Sequence, residues 1–385
     1  MPTDLTGFYT EETYQKAKLY NRTLSNFGLF SESISFLITM TFFLLYGFAW
    51  LHELLSPLIE NRILLTLVFF GILFFASDIL NIPFSLYQTF VIEEKFGFNK
   101  TTVKTFITDK LKSYALLIII GGIIGTILLY LIFWLEEDSW LIAFIVIASF
   151  SLFFSVFYST LIIPLFNKLS PLEDGELKTA IFELAERVKF PLKNIYVIDG
   201  SKRSSKANAF FTGLWKKKKI VLYDTLIQKH SIPELVAVLA HEVGHYKKKH
   251  ITKGLIISFA QTFIMLYVLS LLLFSPKLSQ AFGSASNDYI IHINLIALAI
   301  LFEPVNLIVG LAGNIISRKH EFQADEFSVV STRGKLLKDA LKRLSTDHLS
   351  NLKPHPAYVF FYYSHPPLLQ RLAAIDKINL ENHEN

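Results

Sequence analysis

Long uncharged stretches dominate this chain and set what it can become. They run from Ile34 to Leu51, Ile63 to Ala76 and on past Asp78 to Pro83, Ser113 to Leu135, Trp140 to Phe166, Gly254 to Phe274, and Ile290 to Ala312. A crossing helix needs about 20 apolar residues, so about six spans are expected. The composition agrees, with 52% hydrophobic residues, 36 Phe and 18% charged residues, against about 25% charged in soluble domains. The first run starts well inside the chain and lacks both a basic leader and a small-residue cleavage site, so it should remain as a helix. The expected fold is mainly α: a multi-pass helical membrane protein with a small α+β portion at the cytoplasmic face.

With the N-terminus inside, the outer loops would be His52 to Arg62, Glu136 to Ser139 and Ser275 to Tyr289. They hold only Arg62 and Lys277 of the 37 Lys and Arg, and basic residues gather on the cytoplasmic side. The net charge of +5 is therefore read as topology rather than nucleic-acid binding, and it favours anionic lipid headgroups. The chain has no cysteine, which removes disulfides, thiolate catalysis and Cys-ligated zinc. A bound metal must use His and carboxylates.

The chain divides into residues 1–166 with four spans, an inner segment 167–253, two further spans in 254–312, and inner helices in 313–385. Two spans separate the inner segments, so both lie on one side of the membrane whatever the orientation. In the first, Leu177, Ile181, Leu184, Ala185 and Val188 predict a helix and Asn194 to Ile198 a strand. Ala207 to Trp215 and Ile220 to Asp224 predict a hairpin, with Lys216 to Lys219 as its solvated turn. Ser231-Ile232-Pro233-Glu234 has the form of a capping box and should start a helix. In that helix Val236, Leu239, Ala240 and Val243 make a buried stripe, and it is expected to run on toward the span at Gly254. After the last span the helix should continue through Ser317 to Phe327, and Leu336, Leu337, Ala340, Leu341 and Leu344 predict another.

His241-Glu242-Val243-Gly244-His245 carries the chemistry. The two histidines lie one helical turn apart on one face, where they can hold a single zinc ion. Glu242 beside them suits a general base acting on water whose pKa the metal has lowered. Catalytic zinc usually has three protein ligands. The candidate for the third is Glu321, in Arg318-Lys319-His320-Glu321-Phe322-Gln323-Ala324-Asp325, with His320 as its rival. Asp325, one turn on, can accept the free ring N–H of a ligating histidine and fix its tautomer.

These two motifs, together with Ser205-Lys206-Ala207-Asn208-Ala209-Phe210-Phe211 and Ser364-His365-Pro366-Pro367-Leu368-Leu369-Gln370-Arg371, resemble the type I CAAX prenyl endopeptidase family. So do Pro83-Phe84-Ser85-Leu86-Tyr87 and Phe90 through Phe98, and matching blocks extend from about Lys16 onward. The resemblance implies one Zn2+ per chain on His241, His245 and Glu321, with Glu242 as base and proton donor. It implies that Asn208 binds the substrate backbone and that His365 and Arg371 stabilise the oxyanion. Taken alone, His365 reads as a loop residue and Arg371 as helix surface. The resemblance also implies seven spans around an intramembrane chamber, where about six are counted.

The expected activity is zinc-dependent cleavage near the C-terminus of membrane-associated peptides or proteins, with or without a prenyl group. Substrate would add as a strand beside the Asn208 to Thr212 edge. The nearest alternative is a heat-shock-type membrane quality-control zinc protease. Asp78, Glu303 and Asn306 lie at or within apolar runs and fit an internal wet cavity; a six-span channel or transporter with structural zinc would account for Asp78 and Glu303, but no inverted repeat is visible. A functional monomer is expected. A bacterial cytoplasmic membrane is favoured, or the endoplasmic reticulum in a eukaryote, with the active site on the cytoplasmic side.

Overall fold

A computed structural model describes residues 5, 7–212 and 218–378. Among these, five helical segments are long and apolar enough to cross a bilayer: Glu11–Leu44, Arg62–Phe96, Val103–Phe166, His250–Leu272 and Ile291–Thr332. The six expected runs fall in five segments because Ser113 to Leu135 and Trp140 to Phe166 belong to one. A 3-10 turn, Glu136–Asp138, interrupts it, with Glu136 at φ 48°. The two arms pack on each other.

The first segment also departs from its expected bounds. Helix begins at Glu11 and breaks after Leu44, where Tyr46 takes the left-handed conformation at φ 53°. A separate short helix, Gly47–Leu55, follows. Gly47 lies close under the Phe42 ring, from which a Cβ would stand only 2.4 Å away.

Asp78, inside the second segment, is held by Lys110 and by the Tyr114 hydroxyl. Its charge is thus met by neighbouring helices, beside a cavity of about 350 Å³. Glu303 and Asn306 are exposed on the last long helix.

The α+β portion contains a four-stranded sheet in the order β1-β2-β4-β3. The strands are β1 (Leu169–Pro171), β2 (Leu192–Ile198), β3 (Ala209–Thr212) and β4 (Lys218–Tyr223). β2 and β4 run parallel, with Ile195 opposite Ile220, while β3 lies antiparallel to β4 at the edge, with Phe210 opposite Val221. Gly213 to Lys217, part of the expected hairpin, lies outside the described residues. Lys218 and Lys219 are not a solvated turn but belong to β4, and Lys218 is buried above the rings of Tyr246 and Phe211. Its long aliphatic stem lets it cover apolar surface in this way.

Behind the sheet packs the helix Ile232–Lys247, here called the histidine helix. Its start is the expected capping box, with Ser231 and Glu234 each bonding the other's backbone. Such caps contribute about 0.5–2 kcal/mol. Leu239, Ala240 and Val243 join Ile181 and Leu184 of the Glu176–Arg187 helix and Ile220 and Leu222 of β4 in one core. The histidine helix does not run into the next span. It ends at Lys248, and Lys249 at φ 56° redirects the chain into His250–Leu272. The last long segment does continue as expected, as one helix from Ile291 to Thr332, here the glutamate helix.

Candidate metal centre

The histidine and glutamate helices are in direct contact, and a glycine sets how closely they approach. A Cβ at Gly244 would lie 3.0 Å from Ala324 Cα and 3.1 Å from Phe327 Cβ. Gly244 faces the other helix with its backbone, so the side chains of His241 and His245 can reach Glu321 from the next helix.

That convergence is tight. Nε2 of His245 lies 3.3 Å from Oε1 of Glu321, and Nε2 of His241 lies 3.5 Å from Oε2. The two histidine Nε2 atoms are 3.2 Å apart. One ligand atom from each of the three residues falls within 4.8 Å of the others. Glu321 is buried, yet its Oε2 has no hydrogen-bond partner. A buried carboxylate oxygen with no hydrogen bond costs free energy, and a cation would offset it. Two imidazoles and a carboxylate form a donor set suited to zinc, so the residues present fit a metal.

Asp325 lies on the far side of His241, with Oδ1 at 2.9 Å from Nδ1. Burial opposes charge on His241, but hydrogen bonds to Asp325 and Glu321 outweigh it and raise its pKa to about 9. The surroundings thus favour positive charge at this point. Glu242 is shifted upward by burial against the opposing pull of His241 and His245, in the direction that makes a carboxylate a better base.

Arg371 reaches the cluster from the Leu368–Asp376 helix. Its Nε and NH2 donate to the two Asp325 oxygens at 2.9 and 2.6 Å, and its NH1 lies 3.5 Å from Glu321 Oε2. It is therefore not the surface residue that the helix pattern alone suggests. His365 stands opposite, 65% exposed, with Nε2 3.4 Å from Glu321 Oε1. Its Nδ1 bonds Ser364 Oγ at 3.0 Å. Asn208 precedes the edge strand β3. Its side-chain oxygen accepts from the Ala209 N–H, and its backbone carbonyl accepts from the Tyr223 N–H. His241, Glu242, His245, Glu321, His365, Arg371 and Asn208 all line one cavity of about 840 Å³.

His320, the rival to Glu321, faces elsewhere. Its ring stacks on His250, with centroids 3.8 Å apart. His250 itself was missed by the motif reading. The available signal was a third histidine five residues beyond His245, just after the histidine helix ends.

Residues 171–379 match the model of peptidase family M48, and residues 1–168 match that of the CAAX prenyl protease N-terminal region, described as five membrane helices. The chain is 37% identical to the CAAX prenyl protease 1 homolog of Arabidopsis thaliana, covering 98% of this chain and 90% of that one. It belongs to the CAAX prenyl protease 1 family. To the CAAX prenyl protease 1 of Saccharomyces cerevisiae it is 34% identical, over 98% of this chain and 89% of that one. The crystal structure of S. mikatae Ste24p superposes with a TM-score of 0.92 at 35% identity, covering 98% of this chain and 92% of that chain. As a CAAX prenyl protease 1 relative within family M48, the chain is a multi-pass membrane metalloendopeptidase.

Proposed function

We propose that this chain is a zinc endopeptidase that cuts near the C-terminus of membrane-associated peptides or proteins, prenylated ones included. The supporting observation is the clustering of His241, His245 and Glu321, with a buried Glu321 oxygen that has no hydrogen bond, inside a cavity that also holds Glu242. His241, His245 and Glu321 would hold the zinc ion. Bound there, zinc would polarise the scissile carbonyl and acidify water.

The chain's own groups supply the rest. Glu242 takes a proton from the attacking water and returns it to the leaving amine. His365, exposed across the cavity, donates to the oxygen on which negative charge develops, and Arg371 adds positive charge behind Glu321. β3 is an edge strand. An extended substrate can add beside it through backbone hydrogen bonds, with the Asn208 side chain at one end. Asp325 fixes the ring of His241.

Several relatives carry the name CAAX prenyl protease 1, which favours the prenyl-protein reading over a heat-shock-type quality-control protease. We place the active site on the cytoplasmic side, within a single chain surrounded by membrane lipid. The deciding experiment incubates purified protein with farnesylated and unmodified forms of one peptide, with and without chelator. Chelator-sensitive cleavage that is faster on the farnesylated form is expected; equal cleavage of both forms would favour the quality-control reading. A tag at Ser284 should be reachable only from the face opposite one at the C-terminus.

A further inference from the structure

A histidine that ligates metal through one ring nitrogen needs an acceptor at the other, which sets its tautomer and rotation. For His241 that acceptor is Asp325, 2.9 Å from Nδ1. His245 has a different arrangement. Its Nδ1 lies 3.1 Å from Nδ1 of His250, and Nε2 of His250 lies 2.9 Å from Oε1 of Gln323. The His320 ring covers His250 face to face, with planes 8° apart. His250 is buried and opens a new helix just after the Lys249 bend.

Hydrogen-bond chemistry orders the protons along this chain. The Gln323 oxygen can only accept, so His250 carries its proton on Nε2 and leaves Nδ1 as an acceptor. His245 then donates from Nδ1, and its Nε2 keeps a lone pair directed toward Glu321 Oε1 at 3.3 Å. The reverse order would place a proton on His245 Nε2 and block ligation there.

We infer that His250 is a positioning residue for the metal centre. Acting as a neutral acceptor, it fixes the tautomer and rotation of His245, while Gln323 and the stacked His320 hold His250 in place. The inference rests on reading His241, His245 and Glu321 as a metal site.

The test measures zinc affinity of the full chain in detergent by chelator competition, with metal-free thermal unfolding alongside. His250→Phe keeps the ring and the stack but removes the acceptor, and should weaken zinc binding about 10 to 100-fold. His250→Asn sets an amide oxygen near the place of Nδ1 and should recover most of that loss, which restoration of packing alone would not do. Gln323→Leu should give a smaller loss of several-fold. A parent protein that binds one zinc while His250→Phe stays within twofold of it would overturn the role of His250. If His250→Phe does not fold, unchanged affinity in Gln323→Leu overturns it equally. A parent protein that binds no zinc would sink the metal reading and this inference together.

Discussion

Arg371 grips Asp325 at two points, Nε to Oδ2 at 2.9 Å and NH2 to Oδ1 at 2.6 Å, while the same Asp325 holds Nδ1 of His241 at 2.9 Å. One buried carboxylate thus orients an imidazole and is itself neutralised by an arginine. Arg371→Ala would leave Asp325, 1% exposed, without its counter-charge. Removing one partner of a buried pair costs about 3–5 kcal/mol. Arg371→Ala should therefore lower thermal stability as well as kcat, and the double change Arg371→Met with Asp325→Asn should recover part of the stability. His365 is exposed, so His365→Ala should leave stability unchanged and lower kcat by about 100 to 1000-fold. A change in KM alone would make His365 a substrate-binding residue instead.

Metal retention and catalysis should separate between Glu242 and Glu321. Glu242→Gln keeps the cavity shape but cannot act as base, so hydrolysis should vanish with zinc still bound. Glu321→Ala should lose both zinc and activity. Metal analysis of purified variants checks this, with His320→Ala expected to retain its zinc, weakened at most several-fold through His250. Full zinc in Glu321→Ala and none in His320→Ala would move the third ligand by one residue.

The contact at Gly244 makes a steric prediction. A methyl group there would meet the Ala324 backbone at 3.0 Å, which a rigid helix cannot relieve by turning a side chain. Gly244→Ala should push the two helices apart and destabilise the fold by about 1–3 kcal/mol. It should also weaken zinc binding, although the residue carries no ligand atom. Chelator competition and thermal unfolding of one sample measure both effects.

Glu234 links stability to pH. Burial works against its charge, but hydrogen bonds from Ser231 and Arg343 outweigh that and hold its pKa below the ordinary value. A carboxyl depressed in the folded state stabilises fully above its unfolded pKa of about 4.3, and that contribution drains away as pH falls through the lower folded value. The gap in melting temperature between the parent and Glu234→Gln should hold steady above about pH 6 and close toward pH 3. A gap that widens on acidification would contradict the assignment.

The membrane runs and the metalloprotease motif were legible because each is local. A bilayer demands a long apolar stretch, and a helix places His241 and His245 on one face by its pitch alone. The capping box at Ser231 and the stripe of Leu239, Ala240 and Val243 are local in the same sense. Helix breaks were not legible. The bends at Tyr46 and Lys249 depend on left-handed residues, and neither is the glycine that would announce one. The turn at Glu136 is of the same kind, since it joins two apolar runs within one helical segment rather than dividing them by a loop.

What the sequence by itself determined was the chemistry available: two imidazoles and a base on one helix, carboxylates on another, and no cysteine. Which of these meet was decided only by tertiary structure. Glu321 rather than His320 faces His241 and His245 because the rotation of the glutamate helix is set by its packing at Gly244, and packing between distant segments leaves no periodic trace in either. The same holds for Arg371, whose surface-like helix pattern gave no sign of a buried partner 46 residues away. Helix pitch is a property of neighbouring residues, whereas pairing across the fold depends on the whole core that brings two helices together.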